Sequence, residues 1–164
     1  MTMTANNRNP EAVRRHTKRL GRELAMQFLF SCEMRGETPG AAGFEVFFES
    51  VRDEVNLPDG RLARKGCEYA AALYTVVELR RKEIDEIIKP HCRNWDWDRV
   101  AAVDRNILRV AVAELLEYPE LPLLVPIDEA VEIARDFSGE EGGRFVNGVL
   151  NSLKDEVEEM RRKA

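Results

Sequence analysis

The sequence lacks the features that would place it in a membrane or in an oxidising compartment. No apolar run approaches the roughly 18 residues that a bilayer-spanning helix needs. The N-terminus is polar and basic, without the apolar stretch of a secretory signal. The three cysteines, Cys32, Cys67 and Cys92, are an odd number at unrelated spacings, which argues against a disulfide framework. We therefore expect a cytoplasmic protein without structural disulfides.

Motifs of catalytic and metal sites are also missing. The two histidines belong to no H-x-E, C-x-x-C or H-x₃-H pattern, and no strand precedes a glycine-rich phosphate loop. The His91-Cys92 pair could suggest a thiol nucleophile, but adjacent side chains rarely point together. Asp96, Asp98 and Asp104 are better explained by helix capping and by ion pairing with Arg99 and Arg105 than by metal binding. The sequence therefore predicts no catalytic residue, no metal and no cofactor.

Helical periodicity runs through nearly the whole sequence, and no segment keeps the period of two that marks a strand. The first predicted helix begins at the Asn9-Pro10-Glu11 start signature and ends near residue 34. Apolar stripes predict further helices over about 44–55, 61–79, 84–88 and 100–115, and two more after Pro126. The predicted fold is therefore all-α, a compact bundle of about seven helices.

One domain accounts for this length. Residues 1–8 are polar and aperiodic, so we expect a disordered tail before a single domain over residues 9–164. We expect two helical subdomains, an N-terminal half over about 9–80 and a C-terminal half over about 81–164. The 100–115 helix carries two adjacent apolar stripes, which predicts a central, largely buried position.

Charge is unevenly distributed along the chain. The net charge is -5, yet residues 1–22 hold six basic residues and one acidic residue. A basic end on an acidic body concentrates an anionic partner at one place. Lys18, Arg19 and Arg22 share one side of the first helix, and Arg14 and Arg15 extend that side by a turn. This side could follow a phosphate backbone. It could equally be a solvated helix face, as most charge runs are.

The segment from Pro126 to Leu150 has the most unusual pattern. Asn147-Gly148 is normally a turn signal, but the apolar helical period continues on both sides of it. Glycine inside a helix costs about 1 kcal/mol relative to alanine. We therefore expect a neighbouring element to approach Gly148 closely, and Asn147 to satisfy a buried backbone group.

Several segments resemble the NusB family of bacterial transcription antitermination factors. The blocks that carry the resemblance are Arg22–Gln27, Ile84–Ile88, Trp95–Leu115, Ile127–Phe137 and Arg144–Asn151. Together they cover most of the chain in the family's order, and the Phe-Val-Asn-Gly-Val-Leu block is the specific one.

The resemblance implies an RNA-binding protein that acts without catalysis. Its expected partners are the ribosomal protein NusE, single-stranded boxA-type RNA in ribosomal and leader transcripts, and the RNA polymerase antitermination complex. The two ligands would each strengthen binding of the other. A homodimer of the free protein is left open.

The resemblance also implies where RNA binds. The first helix would contribute its basic residues, Gln27 and Phe30, and Phe30 would stack on a base. The Ser138–Arg144 loop, bracketed by Phe137 and Phe145, would lie beside it, with Arg144 on a phosphate. Each aromatic could instead be a core residue, and Phe145 is the one for which the core is favoured.

Two departures from the family pattern bear on these assignments. Leu20 stands where relatives often carry an arginine, and Gly142-Gly143 replaces bulkier polar residues. The missing basic residue at Leu20 keeps open the alternative of a protein-interaction adaptor that has lost RNA binding. A second alternative is the NusB-like domain of a ribosomal RNA cytosine methyltransferase, if the sequence is a fragment.

Overall fold

The computed structural model describes residues 10–53 and 60–164, with side chains from residue 17 onward within those ranges. Six α-helices and two short 3-10 turns form this part, and it contains no strand, so the all-α prediction is confirmed. The helices are α1 Pro10–Arg35, α2 Ala41–Val51, α3 Gly60–Leu79, α4 Arg81–Ile88, α5 Ala102–Glu117 and α6 Leu124–Lys163. The 3-10 turns, Lys89–His91 and Trp97–Arg99, connect α4 to α5. The expected tail over residues 1–8 lies outside the described residues.

The last helix is kinked where the sequence predicts a loop. Gly139 has φ 79° and ψ -176°, a backbone conformation that residues other than glycine rarely adopt. This residue divides α6 into two helical parts. A single residue thus replaces the predicted connection over Ser138–Arg144. Counting the two parts separately gives the predicted number of about seven helices.

Helices α1 and α3 pack closely because each presents a glycine to the other. A Cβ atom on Gly21 would lie 2.8 Å from the Tyr69 Cβ, and one on Gly66 would lie 2.7 Å from a Leu20 methyl carbon. Leu20 therefore occupies the space over Gly66, which explains an apolar side chain in an otherwise basic stretch.

The core runs as one apolar cluster through the described helices, with α5 at its centre. Eleven of the sixteen α5 residues are buried, as its two apolar stripes predict. The division into two halves near residue 80 stays a prediction. Within the described ranges no helix combines the length and apolar character needed to cross a membrane.

Candidate nucleic-acid interface

Arg22 lies inside the protein and not on the predicted basic surface. Only 3% of its surface is exposed, and its Nε and Nη2 donate to the two Glu114 oxygens at 2.7 and 2.8 Å. Glu114 is fully buried and also accepts from the Tyr69 hydroxyl. Burial and this carboxylate raise the pKa of Tyr69. Arg22 therefore joins α1 to α5, and its guanidinium is not available to RNA in this conformation.

Arg19 is also engaged by the protein itself. Its guanidinium bonds to Glu23 on α1 at 2.7 Å, and on α6 to Glu132 at 3.0 Å and Asp136 at 2.8 Å. Glu129 lies at 3.4 Å from the same group. One guanidinium group thus faces four carboxylates. Charge reversal at Arg19 is therefore expected to lower stability, because it would add a carboxylate to this acidic group.

Lys18 is the remaining basic candidate of α1 whose side chain is described. Lys18 is half-buried, with its Nζ 5.9 Å from the centre of the Tyr69 ring. The side chains of Arg14 and Arg15 lie outside the described residues. Lys18 is therefore the one predicted cation of α1, among described side chains, that has no salt bridge to a described residue.

Gln27 and Phe30 lie half-buried on one side of α1, one turn apart. Glu33 follows by another turn, and it accepts hydrogen bonds from Arg105 and, at 2.8 Å, from Asn106 at the start of α5. Phe30 therefore flanks the N-terminal end of α5. The ring of Phe28, by contrast, packs edge-on against Phe44 inside the core, so Phe30 remains the surface candidate.

Phe145 pairs with an aromatic residue that the sequence interpretation passed over as a site. Its ring centre lies 6.1 Å from that of Trp95, with the planes at 70°. Trp95 is 60% exposed and Phe145 is half-buried. A tryptophan between the predicted fourth and fifth helices, with Arg93 and Arg99 close to it in the sequence, is the signal that could have found this site.

Three arginines surround this aromatic pair without being neutralised. Arg93, Arg99 and Arg144 are exposed, and none makes an ion pair or side-chain hydrogen bond with a described residue. Most other arginines of the described part are held by carboxylates, as Arg19, Arg22 and Arg109 are. Arg93, Arg99 and Arg144 thus leave unneutralised positive charge around Trp95 and Phe145.

The aromatic pair separates two depressions in the surface. The first, the Asp104 cleft, has a volume of about 240 Å³ and is lined by Trp95, Arg99, Asp104, Ser138, Gly142 and Phe145. The second, the Gly148 groove, has about 480 Å³ and is lined by His91, Arg93, Trp95, Arg144, Phe145 and Gly148. Both depressions combine an aromatic wall with an arginine, the combination that binds bases and phosphates.

Phe137 is 42% exposed, and the contacts of the residues before and after it in the sequence show where it lies. Asp136 bonds to Arg19 of α1, while the hydroxyl of Ser138 contacts Asp104 of α5. Phe137 therefore lies between the α1 surface and the Asp104 cleft. Phe137, Phe145 and Arg144 stay RNA-binding candidates on the basis of this position.

The close approach expected at Gly148 occurs elsewhere. No atom lies within 4 Å of a Cβ built on Gly148, so that prediction is wrong. At Gly142 a Cβ would lie 2.5 Å from the Ser138 Cβ, and at Gly143 it would lie 2.6 Å from Arg135 Cγ. Asn147 is exposed and accepts from Asn151 at 2.8 Å, so it satisfies no buried backbone group. The pattern located the right helix but the wrong glycine.

Asp104 is buried at the inner end of its cleft and is not ion-paired, contrary to expectation. It is 7% exposed, and its Oδ1 is the one buried side-chain oxygen or nitrogen of the described residues without a hydrogen-bond partner. Burial raises the pKa of Asp104, and the contact with the Ser138 hydroxyl offsets only part of that effect. Arg105, its expected partner, instead binds Glu33.

His91 forms a surface hydrogen-bond chain. Its Nδ1 lies 2.8 Å from the Ser152 hydroxyl, and its Nε2 lies 2.9 Å from Glu156. Cys92 points away, with its Sγ 3.7 Å from the carbonyl oxygen of Ile88. Within the described ranges no group of three or more histidine, cysteine or acidic side chains could hold a metal ion.

Comparison with known proteins identifies the family. The sequence model of the NusB family matches residues 19–155. The transcription antitermination protein NusB of Koribacter versatilis (strain Ellin345) is 40% identical over 151 residues, which cover 92% of this chain and 97% of that protein. The protein of the same name from Myxococcus xanthus (strain DK1622) is 37% identical and covers 83% of this chain and 93% of its own length.

A solved structure agrees with the sequence comparison. The crystal structure of antitermination factors NusB and NusE in complex with double-stranded RNA contains a chain that superposes with a TM-score of 0.71 at 30% identity. The match covers 86% of this chain and 98% of that one. The relatives that match are transcription antitermination proteins and not enzymes. This chain belongs to the NusB family.

Proposed function

We propose that this protein binds single-stranded boxA-type RNA together with the ribosomal protein NusE and thereby promotes antitermination by RNA polymerase in the cytoplasm. The observation that carries the proposal is the exposed Trp95–Phe145 pair with the unneutralised Arg93, Arg99 and Arg144 around it. Aromatic planes that stack bases, beside cations that contact phosphates, are how proteins hold single-stranded RNA.

The RNA track of the proposal runs over two elements. Lys18, Gln27 and Phe30 contribute from α1, and Phe137, Arg144 and Phe145 contribute from α6. The bridges from Arg19 to Asp136 and from Glu33 to Arg105 hold these surfaces beside each other. Arg19 and Arg22 act in this account by positioning α1 against α5 and α6, and not by touching RNA.

The partnership with NusE rests on the family relationship and on the related structure that contains both proteins. Binding of RNA and of NusE to one protein would be reciprocal: whatever factor NusE adds to RNA affinity, RNA adds to NusE affinity.

A titration tests the electrostatic part of the proposal. Affinity for a fluorescent boxA-type RNA is measured by anisotropy at several salt concentrations, with and without NusE. Arg144→Ala is expected to weaken binding and to lower the slope of log affinity against log salt by about 0.7, the value for one phosphate contact on a single strand.

The matched control is Arg162→Ala. Arg162 is also exposed on α6, and 18 residues of helix place it roughly 27 Å from Arg144. This variant should keep the wild-type slope. Equal slopes in all three proteins would remove Arg144 from the RNA surface, and NusE binding without any RNA binding would establish the adaptor alternative.

Stacking is tested separately from charge. Phe145→Ala and Phe30→Ala are each expected to reduce RNA affinity by about 1–3 kcal/mol with little change in the salt slope. Circular dichroism checks that both variants fold. Unchanged affinity in a folded Phe145→Ala variant would place the stacked bases elsewhere.

A further inference from the structure

Gly148 weakens its helix without a packing reason among the described residues. It lies in the second part of α6, where glycine is less favourable than alanine. At Gly142 and Gly143 a Cβ atom would be crowded by neighbouring side chains, but at Gly148 no described atom lies within 4 Å of one. The effect of the missing side chain is instead to leave the Gly148 groove open, since Gly148 is one of the residues that line it.

The two walls of the Gly148 groove offer the same pair of features. The connection from α4 to α5 contributes Arg93 and Trp95, and α6 contributes Arg144 and Phe145. Both arginines are exposed, and neither is neutralised by a described residue. Each wall therefore places a free cation next to an aromatic ring, which suits a ligand that carries both an anionic group and a flat ring.

The opposite end of the groove is unfavourable to an anion. His91 joins the walls there, with its ring nitrogens 2.8 Å from the Ser152 hydroxyl and 2.9 Å from a Glu156 oxygen. Eight residues of helix separate Ser152 from Arg144, a distance of roughly 12 Å. Because the Glu156 carboxylate repels phosphate, the favourable part of the groove is short and lies at the Arg144 end.

A single nucleotide fits these limits. The volume of about 480 Å³ lies within the range of about 300–1,000 Å³ that is typical of small-molecule sites. We propose that the Gly148 groove is a nucleotide subsite of the RNA surface, in which a base stacks on Trp95, its phosphate contacts Arg93 and Arg144, and its ribose passes over the bare backbone of Gly148. This inference rests on the proposed RNA binding, to which it adds a defined place for one nucleotide.

Filling the groove from its floor tests the subsite. Gly148→Leu leaves every wall residue in place and puts a branched side chain into the open space. We expect the affinity for a fluorescent boxA-type RNA to fall about tenfold, the effect of one lost base stack, and the salt slope to fall by about 0.7. Gly148→Ala adds one carbon atom and should give a smaller loss of affinity.

The matched control is Asn147→Leu. Asn147 precedes Gly148 on α6, is also exposed, and lines neither the groove nor the Asp104 cleft. This variant should keep the wild-type affinity and slope. Circular dichroism checks that all three variants fold, and Gly148→Ala decides the question if the leucine variant does not.

RNAs that lack single bases locate the lost contact. Abasic nucleotides replace the positions of the boxA-type RNA one at a time. In the wild type, the position that occupies the groove should cost about tenfold in affinity when its base is removed. In Gly148→Leu the same removal should cost less than about twofold, because that base is already displaced, while the other positions keep their cost. A change in protein stability does not imitate a loss that is confined to one nucleotide.

The outcomes separate this inference from the function on which it rests. Unchanged RNA affinity in a folded Gly148→Leu variant would overturn the subsite and leave RNA binding intact. A loss that is coupled to no single base would also overturn it. Loss of NusE binding at unchanged RNA affinity would identify the groove as a protein interface instead. Absence of RNA binding by the wild type, with and without NusE, would overturn both the subsite and the proposed function.

Discussion

Replacing Arg22 by methionine is expected to destabilise the protein strongly, because the Glu114 carboxylate would stay buried without its cation. Two hydrogen bonds of 2.7 and 2.8 Å join the pair, and after the substitution the Tyr69 hydroxyl is the one donor that the described residues leave to a fully buried carboxylate. Breaking a buried ion pair by removing one side costs about 3–5 kcal/mol. We expect the free energy of unfolding to fall by that amount.

The matched control is Arg80→Met, because the same geometry recurs there in solvent. Arg80 donates to the two Glu83 oxygens at 2.8 and 2.7 Å, but the two side chains are 37% and 46% exposed. An exposed pair contributes about 0–1 kcal/mol. The difference between the two variants therefore measures the effect of burial at nearly constant geometry.

Urea unfolding followed by far-UV circular dichroism gives both values. In a third protein, Glu114→Met added to Arg22→Met should recover part of the loss, since the unpaired carboxylate is then gone. An Arg22→Met variant as stable as Arg80→Met would refute the reasoning. Arg22 would then return to the set of RNA-contact candidates.

Three further predictions concern the α5–α6 surface. Gly148→Ala should raise the free energy of unfolding by up to about 1 kcal/mol in urea titrations, because its Cβ meets no atom within 4 Å; a loss would show a hidden close contact. Gly142→Ala should lower it by about 1–3 kcal/mol through the clash with Ser138, and an unchanged midpoint would contradict the close packing. Burial raises the pKa of Asp104, so the folded state holds that proton more tightly than the unfolded state, and stability falls as pH rises through the interval between the two pKa values. Asp104→Asn cannot ionise and should therefore melt higher than wild type at pH 7 and equally at low pH; calorimetry showing no gain at pH 7 would contradict the raised pKa.

The helices could be predicted from the sequence because their signal is local. The apolar period of α1 and of α5 reports which side faces the core, and both bounds and burial follow from it. Gly148 shows the limit of this reasoning. A glycine in a helical pattern indicates a position where a Cβ would be crowded. The pattern of one helix does not show where the residues that would crowd it lie, and the crowded positions are Gly142 and Gly143.

The charged residues show a second limit. Spacing on α1 correctly groups Arg19 and Arg22, but their carboxylates lie on α5 and α6, about a hundred residues away in sequence. A run of arginines therefore looks like an open basic surface until the fold brings Glu114 and Asp136 to it. Arg109, within another of the family-like blocks, is similarly held by Asp85 at 2.8 Å. Much of the charge in those blocks thus stabilises the fold.

Trp95 carries a sequence signal that is independent of the helical pattern. It lies between α4 and α5, where no helical period demands an apolar residue, and it is flanked by arginines. An exposed aromatic with cations on both sides is a nucleic-acid signal in its own right. The sequence favours a core position for its partner Phe145, because the two residues come together only when α6 packs beside the start of α5.

The central claim is that RNA lies across the Trp95–Phe145 surface. The most direct measurement is an NMR titration of isotope-labelled protein with a single-stranded boxA-type oligonucleotide. The account predicts large shifts at the Trp95 indole and at the backbone amides of Arg144 and Phe145, and little change at the indole of Trp97, which packs against Arg109. Shifts confined to residues remote from this surface, such as the last turn of α6, would contradict the account, as would a spectrum that RNA does not change.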